Sequence, residues 1–92
     1  MKITREEEIL TAAELVHDSA AMSEAALARD FDEVRFRAKL VTDKARTMGL
    51  ERVAKASQRV LDRLGPIGAP PQTGYGEAIL RVASELDVIW FG

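Results

Sequence analysis

The sequence predicts an all-α fold. Its composition is rich in Ala and in charge and poor in aromatics (47% hydrophobic, 30% charged, 5% aromatic), with few β-branched runs, and that balance favours helix. Apolar residues recur at helical spacing in four stretches, and Asp-, Gly- and Pro-marked breaks separate the stretches. At 92 residues the chain is expected to form a single domain, residues 1–92. Its helices are predicted over about 3–29, 33–48, 50–64 and 76–90, with a linker at 65–75.

The first helix opens on Thr4 and Glu7, which fit a capping box. Glu6, Glu7 and Glu8 suit the positive end of its dipole. Ile9, Ala13, Val16, Ala20 and Leu27 share one face and are expected to be its core stripe. A second, weaker stripe of Leu15, Met22 and Ala26 lies nearly opposite, so this helix either sits centrally in a bundle or meets another subunit.

The break "RDFDEV" offers Asp30 or Asp32 as the cap of the second helix. If Asp32 is the cap, Phe31 and Phe36 fit a hydrophobic staple. The second helix has a core stripe of Val34, Ala38, Val41, Ala45 and Met48 and stops at Gly49. The tight turn at Gly49 makes it an antiparallel hairpin with the third helix, whose inner face is Leu50, Val53, Ser57, Val60, Leu61 and Leu64.

"GPIGAPPQTGYG" then holds four of the six glycines and all three prolines, which marks it as a linker that lets the last helix reach its slot. In that helix Ile79, Val82 or Ala83, Leu86, and Ile89 or Trp90 are expected to point inward. The terminal "VIWF" is expected to dock on the bundle.

Several function classes are disfavoured. The chain has no Cys and a single His, His17, so neither a disulfide framework, a zinc site nor a Ser-His-Asp arrangement has its parts. No Gly-rich phosphate loop lies between a strand and a helix. No catalytic residue, metal ligand or cofactor is expected, and the chain is not expected to be an enzyme. No apolar run approaches the roughly 20 residues that span a bilayer. The charged N-terminus "MKITREEEIL" lacks a signal-peptide core. A soluble, cytoplasmic protein without membrane partners is expected.

Net charge is -2, but nine of the basic residues and three of the acidic ones fall between Arg35 and Arg63. That segment therefore carries +6 and the rest -8, either as solvated faces that complement each other or as a basic surface for an acidic partner. "LERVAKASQRVLDRL" is similar to a DNA-recognition helix, but the tight hairpin suits packing rather than groove entry, and the chain is acidic. Nucleic acid is not expected as a partner.

The stretch from Ala38 to Leu50, "AKLVTDKARTMGL", resembles the central helix of histidine phosphotransfer (HPt) domains. Ala38, Val41, Ala45, Met48, Gly49 and Leu50 fall where that family has its core and turn residues. The resemblance covers about Asp30 to Leu64 and implies an antiparallel up-and-down four-helix bundle, consistent with the periodicity. Lys39 stands at the phosphorylatable histidine, Thr42 at the lysine that helps hold the phosphoryl group, and Asp43 at the glycine beside the imidazole.

The transfer chemistry needs a neutral imidazole nitrogen near pH 7, whereas a solvent-facing lysine is protonated. No residue is therefore expected to accept phosphate. On the outer face of this helix Phe36, Lys39, Leu40 and Asp43 lie together, with Arg35, Thr42 and Arg46 along the adjacent edge. An apolar patch with a charged rim describes a docking surface.

The resemblance thus implies a non-transferring two-component signalling module that docks a response-regulator receiver or a histidine kinase through these seven residues. The alternative is a self-associating structural bundle, a homodimer using Leu15, Met22 and Ala26 or Phe36 and Leu40, with no phosphorelay role.

Overall fold

The computed structural model describes residues 4–91, with the backbone alone for residues 90 and 91. Among the described residues there are four helices and no strand: α1 (Arg5–Leu27), α2 (Phe31–Thr47), α3 (Glu51–Leu64) and α4 (Tyr75–Phe91). α1 packs on α2, α2 on α3, α3 on α4 and α4 on α1, so the four close a ring around one core.

The helix ends follow from local chemistry. The Thr4 hydroxyl accepts from the Glu7 amide at 3.1 Å and donates to the Glu7 carboxylate at 3.1 Å. Asp30, not Asp32, caps α2 by accepting from the Glu33 amide. The Phe31–Phe36 staple is therefore absent. Phe31 instead meets Tyr75 edge-on, with ring centroids 5.4 Å apart. At the end of α2, Gly49 takes φ 74°, its N–H donating to the Arg46 carbonyl and the Leu50 N–H to the Ala45 carbonyl. This paired pattern satisfies carbonyls that the last helical turn leaves free. The end of α1 has the same pattern, with Arg29 N–H to Ala26 and Asp30 N–H to Ala25.

The core is built from small and β-branched residues. Val34, Ala38, Val41 and Ala45 of α2 are fully buried, as are Val53, Val60 and Leu64 of α3 and Val82 of α4. Ile79 and Leu86 are buried too, whereas Ala83 and Ile89, offered as inward positions, are exposed. Val88 is also exposed, so the described part of the tail does not dock on the bundle. The side chains of Trp90 and Phe91 lie outside the described residues.

α1 is turned the other way from the face expected of it. Leu15 and Met22 are fully buried, with Ala12, Asp18, Ser19 and Ala25 beside them. Ile9, Ala13, Val16, Ala20 and Leu27 are all exposed. An interface built on Leu15, Met22 and Ala26 is thereby ruled out, because the first two are fully buried and Ala26 packs on the core.

Two polar clusters fix the helices to one another. Asp18 is buried and both its oxygens are used: Oδ1 accepts from Arg37 at 2.9 Å and Oδ2 from Lys44 at 3.0 Å. Between α2 and α3 the Thr42 and Ser57 hydroxyls lie 2.7 Å apart, and each also reaches a carbonyl of its own helix. Among the described residues no buried side-chain N or O lacks a partner, as a well-formed interior requires.

Candidate docking face of α2

Side chains on the solvent side of α2 fall into three strips, because each residue advances about 100° around the axis. The central strip is Phe36, Lys39, Leu40 and Asp43. Phe36 is 55% exposed and lies under the Arg37 guanidinium, whose carbon is 5.7 Å from the ring centroid. Lys39 is 64% exposed at its side chain and pairs with Asp43 at 3.3 Å. An exposed pair of this kind contributes well under about 1 kcal/mol, so Lys39 is available to another partner. Leu40 is half-buried.

The strip toward α3 departs from expectation. Arg35 and Thr42 are buried and cannot line a docking surface. The tight turn at Gly49 lays α3 against this edge. Thr42 meets Ser57, and Arg35 reaches across to the chain that follows α3. The Arg35 guanidinium donates to the carbonyls of Leu64 at 2.9 Å, Gly65 at 3.1 Å and Ala69 at 2.9 Å, and to Asp32 at 2.8 Å. It is the clasp of the linker, not a surface cation. Arg46, the third residue of that edge, is exposed and only weakly held by Gln58 at 3.4 Å.

The strip toward α1 carries Arg37 and Lys44, whose charges are spent inside the fold. Arg37 donates to Asp18 and Glu33, and these hydrogen bonds raise its pKa further. Lys44 lies 2.7 Å from Glu14. That bond first, and Asp18 after it, hold the ammonium above its ordinary value against the opposing effect of burial.

Not all of the basic segment is therefore free. Arg35, Arg37 and Lys44 are internal clasps, and Arg52 pairs with the buried Glu85 at 2.9 Å. Lys55, Arg59 and Arg63 are exposed and make no salt bridge among the described residues. They recur every fourth residue along the outside of α3. Arg46 joins Lys55 and Arg59 around a surface groove of about 530 Å³ between α2 and α3, shared with Glu51, Gln58 and Asp62. A second groove, of about 490 Å³, sets Arg59 and Arg63 beside Arg81 of α4.

The role of Arg81 was missed because it lies outside the basic segment. Its position becomes legible only once α4 is docked on α3. Asp18 was missed as a clasp because an acid on a buried face breaks the apolar pattern. The signal was present in Arg37 and Lys44, which are seven residues apart and so share a face of α2.

His17 is exposed. Among the described residues no three His, Asp or Glu side chains gather as metal ligands, and no helix is long and apolar enough to cross a membrane. No family model, curated protein or solved structure matches this chain.

Proposed function

We propose that the chain is an HPt-like module of two-component signalling that docks a response-regulator receiver or a histidine kinase in the cytoplasm without passing phosphate and without catalysis of its own. The observation that carries this reading is the exposed face of Phe36, Lys39 and Leu40 on α2. It has an exposed ammonium, paired with Asp43, at the position that the resemblance gives to the phosphorylatable histidine.

The helix pairing supports the antiparallel up-and-down bundle that such a module needs. Along α2, Arg35 meets Leu64 and Thr42 meets Ser57, so one number rises as the other falls. Lys44 meets Glu14 while Arg37 meets Asp18. Arg52 meets Glu85, and the Arg63 carbonyl accepts from the Gln72 N–H just before α4.

The surface is suited to an acidic partner. Lys39 and Arg46 lie two turns apart on one edge of α2, and Lys55 and Arg59 continue the positive charge onto α3. Phe36 and Leu40 supply the apolar centre, and desolvated aromatic and aliphatic anchors with a charged rim are what a specific interface requires. Asp43 beside Lys39 opposes a bound phosphoryl group by charge.

The test is a titration of purified receiver domains from the same cell against this chain, with and without phosphorylation of the receiver. A complex is expected with no acid-labile phosphoryl group retained on this chain. Phe36→Glu with Leu40→Glu is expected to abolish it. Uptake of phosphate by this chain, or binding indifferent to those substitutions, overturns the reading.

A further inference from the structure

Ile9, Ala13, Val16, Ala20, Ser23 and Leu27 follow one another at intervals of four, three, four, three and four residues along α1. That is the spacing of a helix seam built to receive another helix. Among the described residues nothing receives it. Ile9 is 59% exposed, Val16 44% and Leu27 87%, and Ala13 and Ala20 face solvent between them. Beside the seam runs an apolar groove of about 210 Å³, with Val16, Ala20 and Ser23 on the α1 wall and Ala83 and Leu86 on the α4 wall. Isolated apolar residues on a surface need no explanation, whereas a continuous heptad stripe marks an interface.

The seam is complementary to itself when reversed. Paired with an antiparallel copy about a midpoint at residue 18, Ile9 meets Leu27, Ala13 meets Ser23 and Val16 meets Ala20. The small residues near the middle allow close approach, and the large ones close the ends. Charge selects the same direction. Glu6, Glu7 and Glu8 occupy the first turn of α1, its last turn has no basic residue, and Arg29 follows just beyond. A parallel pair would stack the three glutamates on each other. An antiparallel pair removes that stacking: about the same midpoint Glu7 faces Arg29 while Glu6 faces Asp30, and the two helix dipoles are opposed favourably. The two-fold arrangement is closed, so it stops at two chains.

We propose that the exposed seam of α1 is a homodimer interface, occupied by α1 of a second copy running antiparallel. The seam lies on a different helix from the Phe36–Lys39–Leu40 face, so the proposal does not rest on the docking function.

The experiment is sedimentation of the full chain from about 1 to 500 µM, the range in which interfaces of ordinary size, about 800 Å² per partner, assemble. The mass of two chains is expected in the upper part of that range. Val16→Glu with Ala20→Glu sets four carboxylates near the two-fold axis, and is expected to weaken the dimer more than tenfold while helicity and receiver capture are retained. The chain has no cysteine, so direction is read by cross-linking. Ile9→Cys mixed with Leu27→Cys is expected to form a disulfide-linked dimer, and Ile9→Cys alone is not. A monomer throughout, a dimer indifferent to the double substitution, or cross-linking of Ile9→Cys with itself overturns the proposal. In the first two cases the seam belongs to some other partner or to none.

Discussion

Arg29 holds a left-handed backbone, with φ 59°, at the end of α1, and it is the one non-glycine with positive φ among the described residues. Gly49 performs the same task at the end of α2. A side chain at this position carries a steric cost of about 1 kcal/mol that glycine avoids, part of which glycine returns through its freer unfolded chain. Arg29→Gly is therefore expected to stabilise the fold by about 0.5 kcal/mol, a rise in midpoint of a few degrees for a domain of this size. It is to be measured by thermal melting at concentrations where the chain is monomeric.

Arg35 is the opposite case, a residue whose loss the fold feels strongly. Its guanidinium satisfies three carbonyls and one carboxylate from a position where only 8% of it is exposed. Arg35→Met leaves those acceptors without a donor, at a cost of about 2–4 kcal/mol. Arg35→Lys is expected to recover little, because a compact ammonium cannot span the same fork of acceptors. Urea denaturation gives the magnitude. Faster proteolysis between Gly65 and Gly74 would show that the linker is what comes loose.

At the scale of elements, all four helices were legible in the sequence, and their ends were placed within about two residues, the usual ambiguity at frayed termini. The legible signals were physical ones: the Thr4 cap, the Gly49 and Gly65 stops, and the 4-3 spacing from Val34 to Ala45. The facing of α1 was not legible, and the reason is instructive. Its two stripes are both apolar, and the exposed one holds the larger aliphatics, Ile9, Val16 and Leu27. The buried one alternates Leu15 and Met22 with Ala12, Asp18, Ser19 and Ala25. A pattern of hydrophobicity scores Asp18 against burial. The fold buries it because α2 delivers Arg37 and Lys44 to its two oxygens. The same reason hid the true roles of Arg35 and Thr42. A helical wheel shows that they stand beside the exposed face, but not that α3 and the linker lie against that side.

The α1–α2 clasp has a consequence in alkali. Lys44 has its pKa raised in the folded protein, first by Glu14 and then by Asp18. A raised folded value means that its contribution to stability is complete below the ordinary lysine value of about 10.4 and is lost as pH rises through the folded value. Melting temperatures of the wild type are thus expected to fall toward those of Lys44→Met as the pH rises above about 10, with the difference between the two constant at lower pH. A difference that does not narrow in alkali would show that the clasp stabilises through packing of the lysine stem alone.

The whole molecule keeps its charges and its apolar stripe on separate surfaces. The segment from Arg35 to Arg63 carries +6 and the remainder -8. Three cations of that segment are consumed as internal clasps, Arg52 pairs with Glu85, and what is left outward is Lys39, Arg46, Lys55, Arg59 and Arg63. The α1 seam itself carries no charge between Ile9 and Leu27, and Asp87 of α4 lies at the groove beside it. Salt therefore separates the two surfaces. At about 0.5 M salt the screening length falls to roughly 4–5 Å, against about 10 Å at 0.1 M, so exposed cations lose most of their pull on an acidic partner. Burial of Ile9, Val16 and Leu27 is not screened and is strengthened by excluded salts such as sulfate. Capture of a receiver is expected to weaken about tenfold between 0.05 and 0.5 M sodium chloride, mainly through slower association. The dimer constant measured by sedimentation should stay within about threefold. Loss of the dimer in parallel with capture would mean that the glutamate–arginine ends, and not the seam, hold the two copies together. Capture indifferent to salt would place its energy in Phe36 and Leu40 alone.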